Sequence, residues 1–376
     1  MHITIIIGPF LPLPPKGSGA VEKLWHTFAQ EAVRNKHKVH FITKRLKGQK
    51  TISQIKNIKI TRLTNFNFTT SKIINIFLDF VYTLLIGLKK IDKTDIIISN
   101  TFWSPIILSF FKKCPIVADV GRIPKGQLKF YPNKTYFRAN SRYVKKKILE
   151  EGISNKKIIF TPNFLINENI QKNKINNTNI KKKNIILYAG RIHKEKGLNL
   201  VLNSLKYLNK NIRYWKFIFV GPYEYEYGGG GISFLNNIKE TFKNYNITFE
   251  YKKKIINQNK LNLLYKKSKI FLYPSVADKG ETFGNSIIEA MACGCVPIVS
   301  NLKPFKDFIK NKKNGLLINH KNKKTHILLA KNINYLISRK KKIDYLSLNA
   351  LNINKNYSSL KISNLFLNKI KKLVNN

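Results

Sequence analysis

Short apolar runs alternate with longer amphipathic stretches along the first part of the chain. Five of these runs are typical of buried strands: residues 2–8, 38–43, 95–99, 115–119 and 157–162. Helical patterns lie between several of them, notably over 19–35 and 72–90. This alternation is expected of a parallel sheet with helices on both faces. It predicts a first domain over residues 1–166.

A polar segment of low complexity, residues 167–184, interrupts the alternation and is predicted to be an interdomain linker. The pattern then restarts, with strand-like runs at 185–190, 216–221, 247–251, 269–274 and 296–300. We therefore predict an α/β protein with two doubly wound (Rossmann-like) parallel-sheet domains that face a cleft. The second domain is expected over 185–345. A helical tail, 346–376, is expected to pack back on the first domain.

Basic residues greatly outnumber acidic ones, with 69 Lys and Arg against 19 Asp and Glu and a net charge of +50. The excess is spread evenly, since residues 1–165 carry 29 basic and 8 acidic residues and 166–376 carry 40 and 11. Nine of the basic residues are Arg, the residue that nucleic-acid readers favour for base contacts. Without a nucleic-acid motif, this distribution indicates a compositional bias, and we expect no nucleic-acid partner.

The apolar segments are too short to export or anchor the chain. The N-terminal run lacks the features of a signal peptide, and Ile73–Leu88 is shorter than a membrane span and contains Asp79. We predict a buried helix there and a cytoplasmic protein, in keeping with three cysteines that form no disulfide framework. Segments 72–90 and 142–152 leave open a weak peripheral contact with an anionic inner-membrane surface.

Two loops that follow predicted strands have features of phosphate sites. In "PPKGSGAVEKLW", Gly17 and Gly19 allow the backbone to approach a ligand closely. In "YAGRIHKEKG", Arg191 and Lys196 stand at the carboxyl edge of the second sheet, where they could hold a diphosphate. In so basic a chain, two solvated lysine or arginine side chains are the structural alternative.

The stretch "GETFGNSIIEAMACGC", residues 280–295, contains two of the chain's few acidic residues, Glu281 and Glu289, at and near the start of a predicted helix. Backbone N–H groups at a helix start attract anions, and carboxylates accept hydrogen bonds from vicinal sugar hydroxyls. Glu281 and Glu289 could thus hold sugars on either side of a diphosphate bound at the helix start. The alternative is complementation of the helix dipole by Glu281 and a surface position for Glu289.

Together, the Glu281-x7-Glu289 spacing, the "GRIHKEKG" loop and the "PPKGSGA" loop resemble the retaining glycosyltransferases of family 4, which have the GT-B fold. The resemblance is strongest from Leu187 to Ile318. It implies transfer of a sugar from a nucleotide-sugar donor to a glycan or lipid-linked acceptor, in cell-surface polysaccharide or lipopolysaccharide synthesis. It also implies no cofactor and no metal. Alternatives are a nucleotide-sugar epimerase of the same fold and a non-catalytic nucleotide-binding relative.

The resemblance also implies roles for individual residues. Arg191 and Lys196 would bind the donor diphosphate and stabilise the leaving group, and Glu281 would contact the donor sugar. The remaining donor-binding positions would be Gly17, Gly19, Gly221, Tyr251, Phe283, Gly284, Asn285 and, at the ribose, Glu289.

One departure from the family concerns the first domain. Many members carry a histidine there, just after a strand, that faces the donor sugar. No histidine lies between residues 95 and 125, where the sequence reads "VADVGRIPKGQ" instead. Asp119, as a catalytic residue, and Arg122 are the candidates to occupy that space, and absence of the role is the alternative. For Asp119, a cap at the end of the strand is an equally weighted interpretation.

Overall fold

The computed structural model describes residues 1–15, 19–64, 66–88, 91, 93–166 and 181–375. It divides into two compact units. Unit 1 comprises Met1–Ile166 and Ser359–Asn376, and unit 2 comprises Asn167–Ser358. Each unit is built around a parallel sheet with helices, so the predicted pair of doubly wound α/β domains is confirmed. Most of the predicted linker, residues 167–180, lies outside the described residues.

The sheet of unit 1 has the order β3-β4-β2-β1-β5-β6-β7-β8, and β3 alone pairs antiparallel, with β4. Its strands are β1 (His2–Pro12), β2 (Lys38–Lys44), β3 (Ile52–Ile55), β4 (Ile58–Arg62), β5 (Ile96–Ser99), β6 (Ile116–Val120), β7 (Thr135–Ala139) and β8 (Ile158–Phe160). Its helices are α1 (Ala20–Arg34), α2 (Lys72–Leu88), α3 (Ser104–Phe111), α4 (Arg142–Glu150) and the C-terminal helix, Ser359–Asn375. The β-branched strands are buried by helices on the sheet faces, as the near-continuous apolar runs predict.

The C-terminal helix completes the core of unit 1. Phe366 packs against Trp25 and Phe28 of α1, with ring centroids 5.8 and 5.4 Å apart. Ser359 Oγ donates a hydrogen bond of 2.8 Å to the carboxylate of Glu31. Residues 346–358 of the predicted tail belong to unit 2 instead.

Helix α2 differs from its prediction. We predict a buried helix over Ile73–Leu88, but Ile73 is 80% exposed and Phe77 is 61% exposed. The prediction holds for Tyr82 and Ile86, which belong to the core. It is wrong for the exposed apolar side, because Asn75, Asp79 and Thr83 take part of the buried side. None of the helices in the described part of the chain is long and apolar enough to cross a membrane.

The sheet of unit 2 has the order β11-β10-β9-β12-β13-β14. Its strands are β9 (Lys183–Ala189), β10 (Lys216–Val220), β11 (Phe249–Lys252), β12 (Ser268–Tyr273), β13 (Val296–Ser300) and β14 (Leu316–Ile318). Its helices are α5 (Leu198–Ser204), α6 (Gly231–Asn244), α7 (Gln258–Lys267), α8 (Asn285–Ala292), α9 (Thr325–Ile337), α10 (Lys340–Ala350) and α11 (Ile353–Asn356). The chain builds outward from β9 to β11 and then returns to place β12 on the other side of β9. The strand order therefore reverses between β9 and β12, where open α/β sheets bind ligands at the carboxyl ends.

Candidate functional site

A buried ion pair lies at this switch point of unit 2. Lys196 follows β9 and Glu281 follows β12, and Lys196 Nζ lies 2.7 Å from Glu281 Oε1. The two side chains are 8% and 10% exposed. Because burying a charge is costly unless it is paired, each side chain compensates the burial of the other and holds it in a fixed position. The pair thus joins the two loops that flank the predicted ligand site.

Two hydroxyl groups complete the surroundings of the Glu281 carboxylate. Tyr273 Oη and Ser275 Oγ donate to Oε1 over 3.1 and 2.9 Å. Burial, with a further contribution from Glu281, raises the pKa of Tyr273 well above its ordinary value, so this phenol remains a donor. Since three donors converge on one oxygen, the orientation of the carboxylate is fixed before any ligand arrives.

Arg191 stands at the rim of the same cluster. Its Nη1 donates to the carbonyl of Gly228 over 2.8 Å, and its Nη2 pairs with the carboxylate of Glu195. Glu195 Oε1 lies 3.7 Å from Lys196 Nζ, which links the two cations through one carboxylate. The Arg191 side chain remains 40% exposed, so it can contact a ligand from the solvent side, whereas buried Lys196 would contact the same ligand from the protein interior.

Two glycines allow the surrounding backbone to close up. Gly197 and Gly221 have φ of +73° and +149°, conformations that L side chains rarely adopt. A Cβ at Gly197 would overlap the carbonyl of Pro274, and a Cβ at Gly221 would overlap that of Gly190. These glycines thus permit the loops after β9, β10 and β12 to lie against one another at the carboxyl edge.

Tyr251, near the end of β11, closes the far side of this edge. Its hydroxyl donates to the carbonyl of Gly221 over 2.8 Å. Burial first, and then the carboxylate of Glu224, raises its pKa to about 12. The two residues predicted to border the base are therefore in contact with each other.

Helix α8 starts four residues after Glu281. Gly284 precedes its first residue, Asn285, and the carbonyl of Gly284 accepts the first hydrogen bonds of the helix, from Ile287 and Ile288. The earlier N–H groups of a helix have no intrahelical partner and carry partial positive charge. Glu289 lies four residues after Asn285, hence on the same face, and helical side chains tilt toward the N-terminus.

The side chain of Glu289 is largely buried beside α7. It is 9% exposed, and it adds to the effect of burial in raising the pKa of the Tyr265 hydroxyl. A solvated surface position for Glu289, the alternative left open by the sequence, does not fit this burial.

The predicted residues of unit 1 belong to a separate compact unit. Gly17 lies outside the described residues, and Gly19 immediately precedes α1, next to the carboxylate of Glu22. Asp119, near the end of β6, forms a buried ion pair of 2.7 Å with Arg138 and accepts a hydrogen bond of 3.2 Å from Trp25 Nε1. These contacts give Asp119 a structural role, and its catalytic role stays a prediction.

Asp278, to which the sequence gives no role, lies within hydrogen-bond distance of His320 Nε2 at 3.0 Å and forms an ion pair with Lys321 Nζ at 3.3 Å. Burial acts to raise its pKa, but the bonds from Lys321 and His320 outweigh burial and lower it. Within the described ranges, no group of three or more His, Cys, Asp or Glu side chains could hold a metal ion.

Unit 2 thus brings Arg191, Lys196 and Glu281 into one hydrogen-bonded cluster. Sequence reasoning missed Glu195, Tyr273 and Ser275, which orient these residues. Their position could have identified them, because each lies at or just beyond the carboxyl end of a strand adjoining the switch point, where ligands bind in such sheets. Tyr273, within an apolar strand, has the pattern of an ordinary core aromatic.

Comparison with known proteins places this cluster in a recognised domain. Residues 169–353 match the family model described as glycosyl transferases group 1. The chain is also 25% identical over 291 residues to an uncharacterised glycosyltransferase of Methanocaldococcus jannaschii, covering 70% of this chain and 71% of that protein.

Solved structures show the same fold over the whole chain. A glycosyltransferase from Rickettsia africae has a TM-score of 0.77 at 20% identity, covering 100% of this chain and 99% of that one. Sucrose-phosphate synthase from Thermosynechococcus elongatus has a TM-score of 0.75 at 15% identity, covering 99% and 98%. HepE from Anabaena, solved in complex with UDP and glucose, has a TM-score of 0.71 at 15% identity, covering 99% and 100%. The fold is the GT-B fold of these glycosyltransferases.

Proposed function

We propose that the chain is a retaining glycosyltransferase of family 4 that uses a nucleotide-sugar donor, in keeping with the group 1 glycosyltransferase model that residues 169–353 match. The observation that carries the proposal is the buried pair of Lys196 and Glu281 at the switch point of unit 2. One partner supplies a fixed positive charge and the other a fixed carboxylate, and Glu281 precedes the first residue of α8 by four positions. A phosphorylated sugar needs both kinds of group within a few ångströms of each other.

The donor diphosphate would bind at the positive side of the site. Arg191 is accessible at the rim, Lys196 lies beneath it, and the backbone at Phe283, Gly284 and Asn285 leads into the N-terminus of α8. Negative charge grows on the diphosphate as the bond to the sugar breaks, and preorganised cations stabilise that charge without reorganisation. The crystallised complex of HepE with UDP and glucose supports a donor of this class.

The two glutamates would bind the sugars on either side of the diphosphate. Lys196, Tyr273 and Ser275 all donate to Oε1 of Glu281, so we expect Oε2 to accept hydrogen bonds from the donor sugar. Glu289, one helical turn beyond the start of α8, would hold the ribose hydroxyls. Gly221 and Tyr251 would border the base.

Retention of configuration follows if the acceptor attacks from the face on which the diphosphate departs. Arg191 and Lys196 would hold the leaving group on that face, where its oxygen can take the proton of the acceptor hydroxyl. We propose a glycan or lipid-linked acceptor, as in cell-surface polysaccharide or lipopolysaccharide synthesis. We also propose that the cations take the part of a metal ion, so transfer should persist in excess EDTA.

A thermal-shift screen of UDP-, GDP- and ADP-sugars tests the donor class, because a ligand that binds the folded state stabilises it by about 2.7 kcal/mol at a hundredfold excess over its Kd. The variant Arg191→Gln should lose most of the shift, whereas Arg213→Gln, at an exposed position of unit 2, should keep it. No shift with any nucleotide-sugar would contradict the donor assignment. With an active donor, NMR of the anomeric proton in the product tests retention, and an inverted product would overturn it.

A further inference from the structure

Helix α2 of unit 1 exposes an apolar side to solvent, although Tyr82 and Ile86 on its other side are buried in the core. Asn75, Asp79 and Thr83 recur at helical spacing on the buried side. Ile73, Phe77 and Leu84 recur on the opposite side and are exposed, and Ile74 and Ile76 flank them in solvent. A surface helix of a globular protein normally turns charged and polar side chains to solvent, on the side opposite its apolar stripe.

The buried polar side chains fix the helix in this orientation. Asn75 exchanges hydrogen bonds of 2.9 and 2.8 Å with the backbone of Thr69. Asp79 Oδ2 accepts from the backbone N–H groups of Phe102 and Trp103 over 3.0 and 3.2 Å, just before α3 begins. Rotating α2 to hide its apolar face would strip these groups of their partners and leave them unsatisfied. The apolar face therefore stays outward.

The charges around this face indicate what covers it. Lys72 and Asp79 are the charged residues of α2, and Asp79 is on the buried side. Lys72 begins the helix, and Lys89 and Lys90 follow it in the sequence. Two copies of a chain with a net charge of +50 repel each other, whereas an anionic lipid surface attracts such a chain.

We propose that α2 lies in the plane of an anionic bilayer surface, with Ile73, Phe77 and Leu84 inserted among the lipids. The helix has 17 residues and its polar side is bound to the protein, which suits insertion to the depth of one helix face. The enzyme would then bind a lipid-linked acceptor at the membrane surface in which that acceptor is anchored. Binding to vesicles needs neither donor nor transfer, so this proposal and the proposed function fail independently.

A tryptophan beside the helix provides a specific reporter. Trp103 Nε1 donates to the carbonyl of Ile76 over 3.1 Å, and the ring of Trp103 packs edge-on against Phe80 at 5.2 Å. The other two tryptophans, Trp25 and Trp215, are buried in the cores of their units. Quenching by lipids with brominated acyl chains should therefore act mainly on Trp103.

The experiment compares the full chain with Ile73→Ser/Phe77→Ser on vesicles of phosphatidylcholine with and without phosphatidylglycerol. Apolar area withdrawn from water predicts about a tenfold loss of partitioning per substituted residue. The matched control is Ile55→Ser/Ile256→Ser, at positions 59% and 60% exposed, which should bind as the wild type does. Brominated lipid should quench the wild type and the control, but not the variant.

Two results would overturn the proposal. A chain with a net charge of +50 can adhere to anionic vesicles by charge alone. Binding by charge alone would be indicated if variant and wild type bind equally, if high salt abolishes the binding, and if Trp103 is not quenched. A dimer that Ile73→Ser/Phe77→Ser dissociates, in a protein that binds no vesicles, would show that a second copy covers the face.

Discussion

Breaking the pair between Lys196 and Glu281 should damage both stability and transfer, and the two effects can be separated. Removal of one member of a buried ion pair typically costs about 3–5 kcal/mol because the other charge remains buried. In Lys196→Met, Glu281 keeps the hydroxyl groups of Tyr273 and Ser275, which places the loss of unfolding free energy at the lower end, about 3 kcal/mol. Glu281→Gln should cost about 2 kcal/mol, since Glu195 lies 3.7 Å from the ammonium group that remains.

The double variant Lys196→Met/Glu281→Gln removes both charges together. It should be less destabilised than the sum of the single variants by about 2 kcal/mol or more, because residues in direct contact do not act additively. Transfer should not recover. Without the cation beneath the diphosphate, the rate should fall at least about a hundredfold in all three variants.

Urea unfolding, followed through Trp215 with Trp25 and Trp103 replaced by Phe, reports on unit 2 alone. Lys194→Met, an exposed neighbour in the same loop, serves as the control and should leave both stability and transfer unchanged. Additive losses would show that the pair is not coupled. A double variant that regains stability and also transfers sugar at the wild-type rate would refute the assignment of the site.

Three further outcomes are expected. Glu289→Gln should weaken nucleotide-sugar binding, measured by calorimetry, about tenfold, because a neutral amide accepts more weakly than a carboxylate from ribose hydroxyls; unchanged affinity would exclude the ribose role. Asp119→Asn should destabilise unit 1 by about 3 kcal/mol in chemical denaturation, because Arg138 stays buried, while donor affinity remains normal; a stable but inactive variant would instead support catalysis. Burial raises the pKa of Asp79 to about 6, so its contribution to stability is present at low pH and is lost as pH rises through that value. Relative to the wild type, Asp79→Asn should therefore gain about 2–3 kcal/mol of unfolding free energy between about pH 4 and pH 7.5, and a pH-independent difference would contradict the shift.

The regular alternation of apolar runs allowed most strands and helices to be predicted. The prediction failed for elements that depend on residues distant in the sequence, and for very short strands. Strand β7 was missed because Arg138 interrupts its apolar run. That arginine is tolerated in the sheet because Asp119 and the hydroxyl of Thr161 bind its guanidinium group. The hairpin of β3 and β4 was missed because its strands are short, and β14 has three residues.

For the candidate site, too, local sequence predicts the residues but not their contacts with each other. Arg191, Lys196 and Glu281 stand out by residue type and by position after strands, which local sequence reveals. That Lys196 and Glu281 bind each other across 85 positions follows from the reversal of strand order, which no local pattern contains. The apolar run of α2 likewise does not reveal which side faces water, because the N–H groups that bind Asp79 belong to Phe102 and Trp103, more than 20 residues further along the chain.

The placement of the C-terminal helix has a consequence for biosynthesis. Unit 1 begins at Met1, yet Phe366 and the residues around it supply part of its core. Domains generally fold as they emerge during synthesis, the N-terminal one first. Here unit 1 cannot close its core until the C-terminal helix, Ser359–Asn375, has left the ribosome, whereas unit 2 is continuous and is complete at Ser358. The unit translated second can therefore finish folding first, and until then Trp25 and Phe28 lack the covering ring of Phe366.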